Sequence, residues 1–219
     1  MVCFHLLVLM SLTDMQKDEI KKIYGRYSPV YDLIFSRTFL PRIRDGLKKM
    51  GIQKGDRIIE VGVGTGLSLA LYPTSCDVVG IDITRKMLEK AKQKKERSGL
   101  RHVHLLEMDA ENITFADDSF DHAVVPFVIS VVPNPQRMMS EIRRVTKKNG
   151  KIVVVNHFNG GGFFISTMEK VLSPVFLRLG WRAGLTLDLL SNHCNLRIDG
   201  VTRKHVLDLW WVVQITNTK

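Results

Sequence analysis

The chain has 219 residues, 45% of them hydrophobic, with 16 Gly and 7 Pro, which is enough apolar material for a buried core and too little bias for a disordered or fibrous polymer. Lys and Arg number 32 against 22 Asp and Glu, a formal charge of +10 that favours anionic partners such as nucleic acid or acidic lipid. Cys3, Cys76 and Cys194 stand far apart, a pattern that supports neither a disulfide framework nor a zinc cluster and fits a reducing, cytoplasmic setting.

The longest apolar run, residues 1–12, is shorter than the ~20 residues that span a bilayer, and no Lys or Arg precedes it as in a signal peptide. It reads as an extra N-terminal stretch from an upstream start codon, with Met10 or Met15 as alternative starts, or else as a membrane-touching anchor. Residues 18–49 read as two or three helical pieces carrying Tyr24, Tyr27 and Tyr31. They stand outside the alternating unit that follows and are expected to cover its open edge. Residues 1–50 are therefore assigned to extension and helical cover, and 51–219 to the main body of a single compact domain.

From Ile58 onward short β-branched runs alternate with amphipathic stretches, the pattern of a parallel sheet with helices on both faces. Strands are predicted at 57–61, 77–82, 103–107, 120–125 and 151–156. Helices are predicted from near Gly66, over 84–98 with Thr84 as cap and Gly99 as terminator, and over 135–145. After a Gly-rich stretch at 159–162 comes an apolar helix at 163–179, disturbed by Pro174. The tail reads as a strand, 206–215, with 196–202 as its hairpin partner, so an antiparallel pair is expected to close the sheet.

The strongest motif is Glu60-Val61-Gly62-Val63-Gly64-Thr65-Gly66, between a strand and a helix. Glycines there admit backbone angles closed to other residues and let a ligand approach the main chain. A dinucleotide fingerprint wants a further Gly where Leu67 stands, and Glu60 would repel a pyrophosphate but suits an amino group. Asp82 ends the second strand, where an acid can accept hydrogen bonds from ribose hydroxyls, and Asp109 follows the third. Acids at the ends of three consecutive strands around such a loop describe a site for a nucleoside that lacks phosphates and carries an amine.

These residues, with Asp109-Ala110-Glu111 and Ser119-Phe120-Asp121, resemble the class I S-adenosylmethionine-dependent methyltransferases over about residues 24–157. The resemblance implies a Rossmann-like α/β fold with seven strands in the order 3-2-1-4-5-7-6, S-adenosylmethionine as cofactor, S-adenosylhomocysteine as product, and no metal. It implies that Glu60, Gly62, Gly64, Thr65 and Gly66 hold the methionine end. Asp82 would take the ribose and Asp109 the adenine amine, with Ile83 and Ala110 flanking the ring. Further cofactor contacts are implied from Tyr31, Met87, Met108, Glu111, Val125 and Pro126.

Within that class, Tyr24 to Asp32, Gly64 to Leu69, Leu71-Tyr72-Pro73, Phe127 to Pro135, Val155-Asn156-His157-Phe158 and Gly180-Trp181-Arg182 resemble the soluble bacterial phosphatidylethanolamine N-methyltransferases. The Tyr-rich segment is shared with quinone C-methyltransferases, so Ser130-Val131-Val132-Pro133 and Asn156-His157-Phe158 decide the reading. Methyl transfer from a sulfonium needs alignment and exclusion of water more than acid–base help. Tyr24, Tyr27 and Tyr31 can stabilise a cation through their rings. His157 can take the proton of an ethanolamine ammonium, and Arg182 can pair with a lipid phosphate. Alternatives are a quinone-precursor C-methyltransferase or an N-methyltransferase for a soluble amine. A nucleic-acid enzyme is disfavoured, because Val125-Pro126-Phe127-Val128 stands where an amino-methylation tetrad belongs. Residues 85–101 carry eight Lys or Arg against Glu89 and Glu96, which suits a peripheral enzyme on the anionic inner face of a membrane. No protein partner is legible.

Overall fold

The computed structural model describes residues 39–158, 185–194, 196–203, 208 and 210–219. Seven strands form one sheet: β1 Arg57–Val61, β2 Asp77–Asp82, β3 Val103–Glu107, β4 His122–Pro126, β5 Lys151–His157, β6 Ile198–Thr202 and β7 Trp210–Thr216. Their order is β3-β2-β1-β4-β5-β7-β6. The first five run parallel, and β7 lies antiparallel between β5 and β6. This is the expected architecture, including the reversed last strand. Parallel pairing brings the carboxyl ends of β1, β2, β3 and β4 to one edge, where ligands bind in open α/β sheets.

The near-continuous apolar runs of β1, β4 and β5 follow from burial on both faces. Ile58, Val78, Val124, Val153, Val155 and Val212 share one face with α1 (residues 39–48) and α2 (Arg85–Arg97). Ile59, Val79, Val125, Val154 and Val213 share the other with α3 (Pro135–Val145). Helix α3 buries Pro135, Met138, Met139, Ile142 and Val145, the stripe of a 3.6-residue period, each large side chain contributing about 1.5–3 kcal/mol. Asn134 starts it by accepting the Arg137 N–H at 2.9 Å, with Pro135 in the first turn.

Helix α1 packs on the sheet face rather than along its edge. A Cβ at Gly46 would stand 2.6 Å from Val153 Cγ1, so glycine permits the close approach. Arg42 on α1 pairs with Asp208 at 2.5 Å, both side chains largely buried, and Asp208 also accepts the Trp210 N–H at 3.1 Å. The start of β7 is thereby tied to α1.

Other elements differ from expectation in detail. The helix opening near Gly66 is a single 3-10 turn, Leu69–Leu71, because Pro73 leaves no room for a second turn. Thr84 occupies the N-cap of α2 without capping it through its side chain, which bonds Asp82 instead. Gly99, at φ +62°, ends α2 as expected, with Gly99 N–H bonded to Glu96 O and Leu100 N–H to Lys95 O. Strand β4 starts at His122, and Phe120 makes only an isolated bridge with Thr146. The expected helix at 163–179, most of the expected cover at 18–49, and Tyr24, Tyr27, Tyr31 and Arg182 lie outside the described residues.

Candidate active site

After β1 the chain turns through Gly62, Gly64 and Gly66, with φ of +78°, +55° and +76°. The N–H groups of Gly62 and Val63 both bond Ile81 O, pinning the turn to β2. The three glycines serve different ends. A Cβ on Gly62 would meet Val128 at 2.7 Å, and one on Gly66 would meet Leu69 at 2.8 Å and Ala91 at 2.9 Å, so both answer to packing. Nothing lies within 4 Å of the position a Gly64 Cβ would take. Gly64 faces open space in a cleft of about 750 Å³, mouth included.

Asp82 sits on this cleft at the end of β2. Its carboxylate accepts the Gly64 N–H at 2.9 Å and the Thr84 N–H at 2.8 Å. Burial raises its pKa above the ordinary carboxylate value, opposed by those bonds. Asp109 lines the same cleft and accepts the Glu111 N–H at 2.9 Å. Ile83, Met87, Met108 and Ala110 supply apolar walls, with Pro126, Val132 and Pro133 across from them. Glu111 also lines it and holds the start of α3, accepting the Asn134 N–H at 2.8 Å. Val125 is fully buried in the core beside the cleft.

A smaller cavity adjoins, lined by Phe39 and Ile43 of α1, Thr65 and Ser68, and sharing Gly62, Gly64, Pro126 and Phe127 with the cleft. Glu60 borders it and is itself buried; both carboxylate oxygens accept hydroxyl hydrogen bonds, one from Ser68 and one from Tyr72. Burial pushes the Glu60 pKa up to about 7, against the lowering effect of the two hydroxyls. Burial and the neighbouring Glu60 charge raise that of Tyr72 well above its ordinary value.

Phe127, just past β4, holds φ +59°, a conformation that costs a bulky residue about 1–3 kcal/mol. Its N–H is anchored to Val155 O at 2.7 Å. Its ring centroid lies 4.2 Å from that of Phe39 and 5.4 Å from that of Trp210, and His157 stands 5.6 Å beyond Trp210. His157 lines neither cavity. Ser130 Oγ donates to Asn156 Oδ1 at 3.3 Å, and Asn156 Nδ2 to His157 O at 3.0 Å, so the two segments that decide the sequence reading meet in the fold.

The profile of a family described as "Methyltransferase domain" matches residues 59–154. Over 186 residues, 84% of this chain and 90% of the other, the sequence is 38% identical to a phosphatidylethanolamine N-methyltransferase from Cereibacter sphaeroides. The chain belongs to the class I S-adenosylmethionine-dependent methyltransferases. It is also 33% identical, over 61% of its length and 58% of the other's, to a demethylmenaquinone methyltransferase from Geobacillus sp. (strain WCH70). The fold matches the crystal structure of an S-adenosylmethionine-dependent methyltransferase from Thermotoga maritima with a TM-score of 0.70 at 21% identity, covering 90% of this chain and 99% of that one.

The residues of this methyltransferase fit its cofactor. A loop position open to a close ligand, a carboxylate at the end of β2, a second carboxylate on the cleft and apolar walls for a flat ring suit an adenosine with a positively charged side chain. Among the described residues no group of His, Cys, Asp or Glu could hold a metal ion, and no helix is long and apolar enough to cross a membrane. Ser68, Tyr72, Thr84 and Phe127 were not among the site residues read from the sequence. No spacing rule marks them, because the 3-10 turn that brings Ser68 and Tyr72 under Glu60 is not periodic.

Proposed function

We propose that the chain transfers methyl groups from S-adenosylmethionine to the amine of phosphatidylethanolamine and its methylated derivatives, toward phosphatidylcholine. The observation that carries this reading is the 38% identity to the Cereibacter sphaeroides phosphatidylethanolamine N-methyltransferase over most of both chains, against partial coverage for the demethylmenaquinone methyltransferases. When bound, S-adenosylmethionine supplies a methyl group on a cationic sulfur. In this reading Asp82 accepts the ribose hydroxyls, Asp109 the adenine amine, and Glu60 with the Gly62–Gly64 turn faces the methionine end. Gly66 and Val125 support these groups from the core side.

The acceptor amine must lose a proton before it attacks, and His157, at the end of β5 beside Trp210, is the proposed proton acceptor. Tyr24, Tyr27 and Tyr31 are proposed to enclose the head group, Tyr31 also touching the cofactor, and Arg182 to hold the phosphate. Arg85, Lys86, Lys92, Arg97 and Arg101 are exposed on or just after α2, and each basic group adds about 1 kcal/mol near an anionic surface. They support docking on the cytoplasmic face of a membrane.

Quinone-precursor C-methylation is the second reading, favoured by the demethylmenaquinone relatives. Incubating the protein with methyl-labelled cofactor and, in separate reactions, phosphatidylethanolamine vesicles, a demethylquinone and soluble ethanolamine distinguishes them. Label in lipid supports the proposal. Label in the quinone alone or in the soluble amine alone overturns it.

A further inference from the structure

We propose that Ser68 and Tyr72 are positioning residues for cofactor capture: their hydroxyls orient Glu60 under the glycine turn and stabilise its anion, so that cofactor binding is coupled to release of the Glu60 proton. That Glu60 meets the methionine end rests on the reading above; the clamp itself rests on the following geometry. Glu60 is 1% exposed, and Ser68 Oγ and Tyr72 Oη donate to different oxygens of its carboxylate. Two donors on two oxygens match an anion. A neutral carboxyl donates from one of its oxygens, so one hydroxyl would have to turn and accept. Ser68 and Tyr72 are buried as well, at 3% and 4% exposure, which keeps water from standing in for either hydroxyl.

Charge around Glu60 is sparse. Among the described residues lining the smaller cavity, Glu60 is the single ionisable one, and its neighbours in the sheet are Gly80 and Val124. The cations of the two covering helices are engaged elsewhere: Arg42 of α1 pairs with Asp208, and Lys94 of α2 donates to Thr65 Oγ1 at 3.1 Å. Asp82, bonded to the same turn through the Gly64 N–H, adds negative charge. Burial in these surroundings favours the protonated carboxyl, and the two hydroxyls pull its pKa back to about 7. Tyr72 stays protonated, because burial and the Glu60 charge raise its own pKa, so its hydroxyl remains a donor across the neutral range. A cationic ammonium arriving at the turn reverses the balance. The Glu60 O–H bond breaks, the proton passes to solvent, and the carboxylate meets the ligand's charge with its direction already set by the clamp.

The test is calorimetric titration of wild type, Glu60→Gln, Tyr72→Phe and Ser68→Ala with S-adenosylmethionine at about pH 6.5 and about pH 8.5, in two buffers of different ionisation enthalpy. Circular dichroism checks the fold of each variant. At about pH 6.5 the ligand's own amine is protonated, and wild type is expected to release most of one proton per cofactor bound while Glu60→Gln releases none. Tyr72→Phe removes a donor to the anion. It is expected to bind about tenfold more weakly than wild type at about pH 6.5 but within about twofold at about pH 8.5, where Glu60 is mostly ionised in both. Ser68→Ala is expected to show the same pattern, and it carries the test if Tyr72→Phe does not fold. Equal losses at both pH values overturn the positioning role, as does binding by wild type without proton release. Glu60→Gln matching wild type in affinity and proton release overturns the reading that Glu60 meets the cofactor, and the proposal with it. A Glu60 effect with unaltered Tyr72→Phe and Ser68→Ala leaves that reading in place and overturns the clamp; no binding by wild type overturns both.

Discussion

Replacing Glu60 by Gln isolates the cost of holding a carboxylate beneath the glycine turn. Glu60 is buried, and its two oxygens are shared between the Ser68 and Tyr72 hydroxyls. Its pKa stands at about 7 in the folded protein against the ordinary 4.5. A carboxyl raised in this way contributes stability fully below 4.5, and that contribution is lost as pH rises through about 7, because the unfolded chain ionises first. The full difference corresponds to about 3 kcal/mol, and the part between about pH 5.5 and 8 to about 2 kcal/mol. Gln keeps the size of the neutral carboxyl and does not titrate. Urea unfolding of the ligand-free proteins at both pH values is expected to show the stability of Glu60→Gln relative to wild type rising by about 2 kcal/mol from the lower to the higher pH. An unchanged difference would refute the reasoning and place the Glu60 titration elsewhere. A cationic ligand beside Glu60 favours the ionised form, so wild-type cofactor affinity is also expected to rise across the same window while that of Glu60→Gln stays flat.

Three further outcomes follow from the geometry. Gly64→Val is expected to abolish cofactor binding in calorimetric titration while the protein stays folded, because the side chain would fill open cleft space from a backbone at φ +55°; normal affinity would mean the loop has another role. Asp208→Ala removes a partner of the largely buried Arg42 and the acceptor of the Trp210 N–H, and is expected to cost about 3 kcal/mol in chemical unfolding, with a loss under about 1 kcal/mol contradicting a structural role for the pair. His157→Ala is expected to lower turnover at least about tenfold with little change in cofactor affinity, and an unchanged rate would remove it from proton transfer.

The strand pattern was legible because parallel strands buried on both faces leave unbroken β-branched runs, as in Ile58-Ile59 and Ile152-Val153-Val154-Val155. Asp82 and Asp109 were legible for a related reason: parallel pairing brings successive strand ends to one edge, so an acid at each end falls on one cleft. The glycine spacing was less transparent. Three identical residues look alike in a motif, yet Gly62 and Gly66 answer to Val128 and Ala91, and of the three Gly64 alone has open space where a Cβ would stand. The Ser68 and Tyr72 clamp on Glu60 depends on a single 3-10 turn cut short by Pro73, which leaves no periodic trace. Phe127 was hidden because a bulky residue at positive φ contradicts its own propensity, and only the pairing of its N–H with Val155 and the contact of its ring with Phe39 reveal what holds it.

Lipid analysis tests the central proposal most directly. Cells that make phosphatidylethanolamine and no phosphatidylcholine, expressing this chain, are fed methyl-labelled methionine, and their lipids are resolved by mass spectrometry. Labelled monomethyl, dimethyl and trimethyl head groups, absent from cells expressing Gly64→Val, are the predicted result. Unmodified phosphatidylethanolamine in cells that contain the folded, cofactor-binding protein would contradict it.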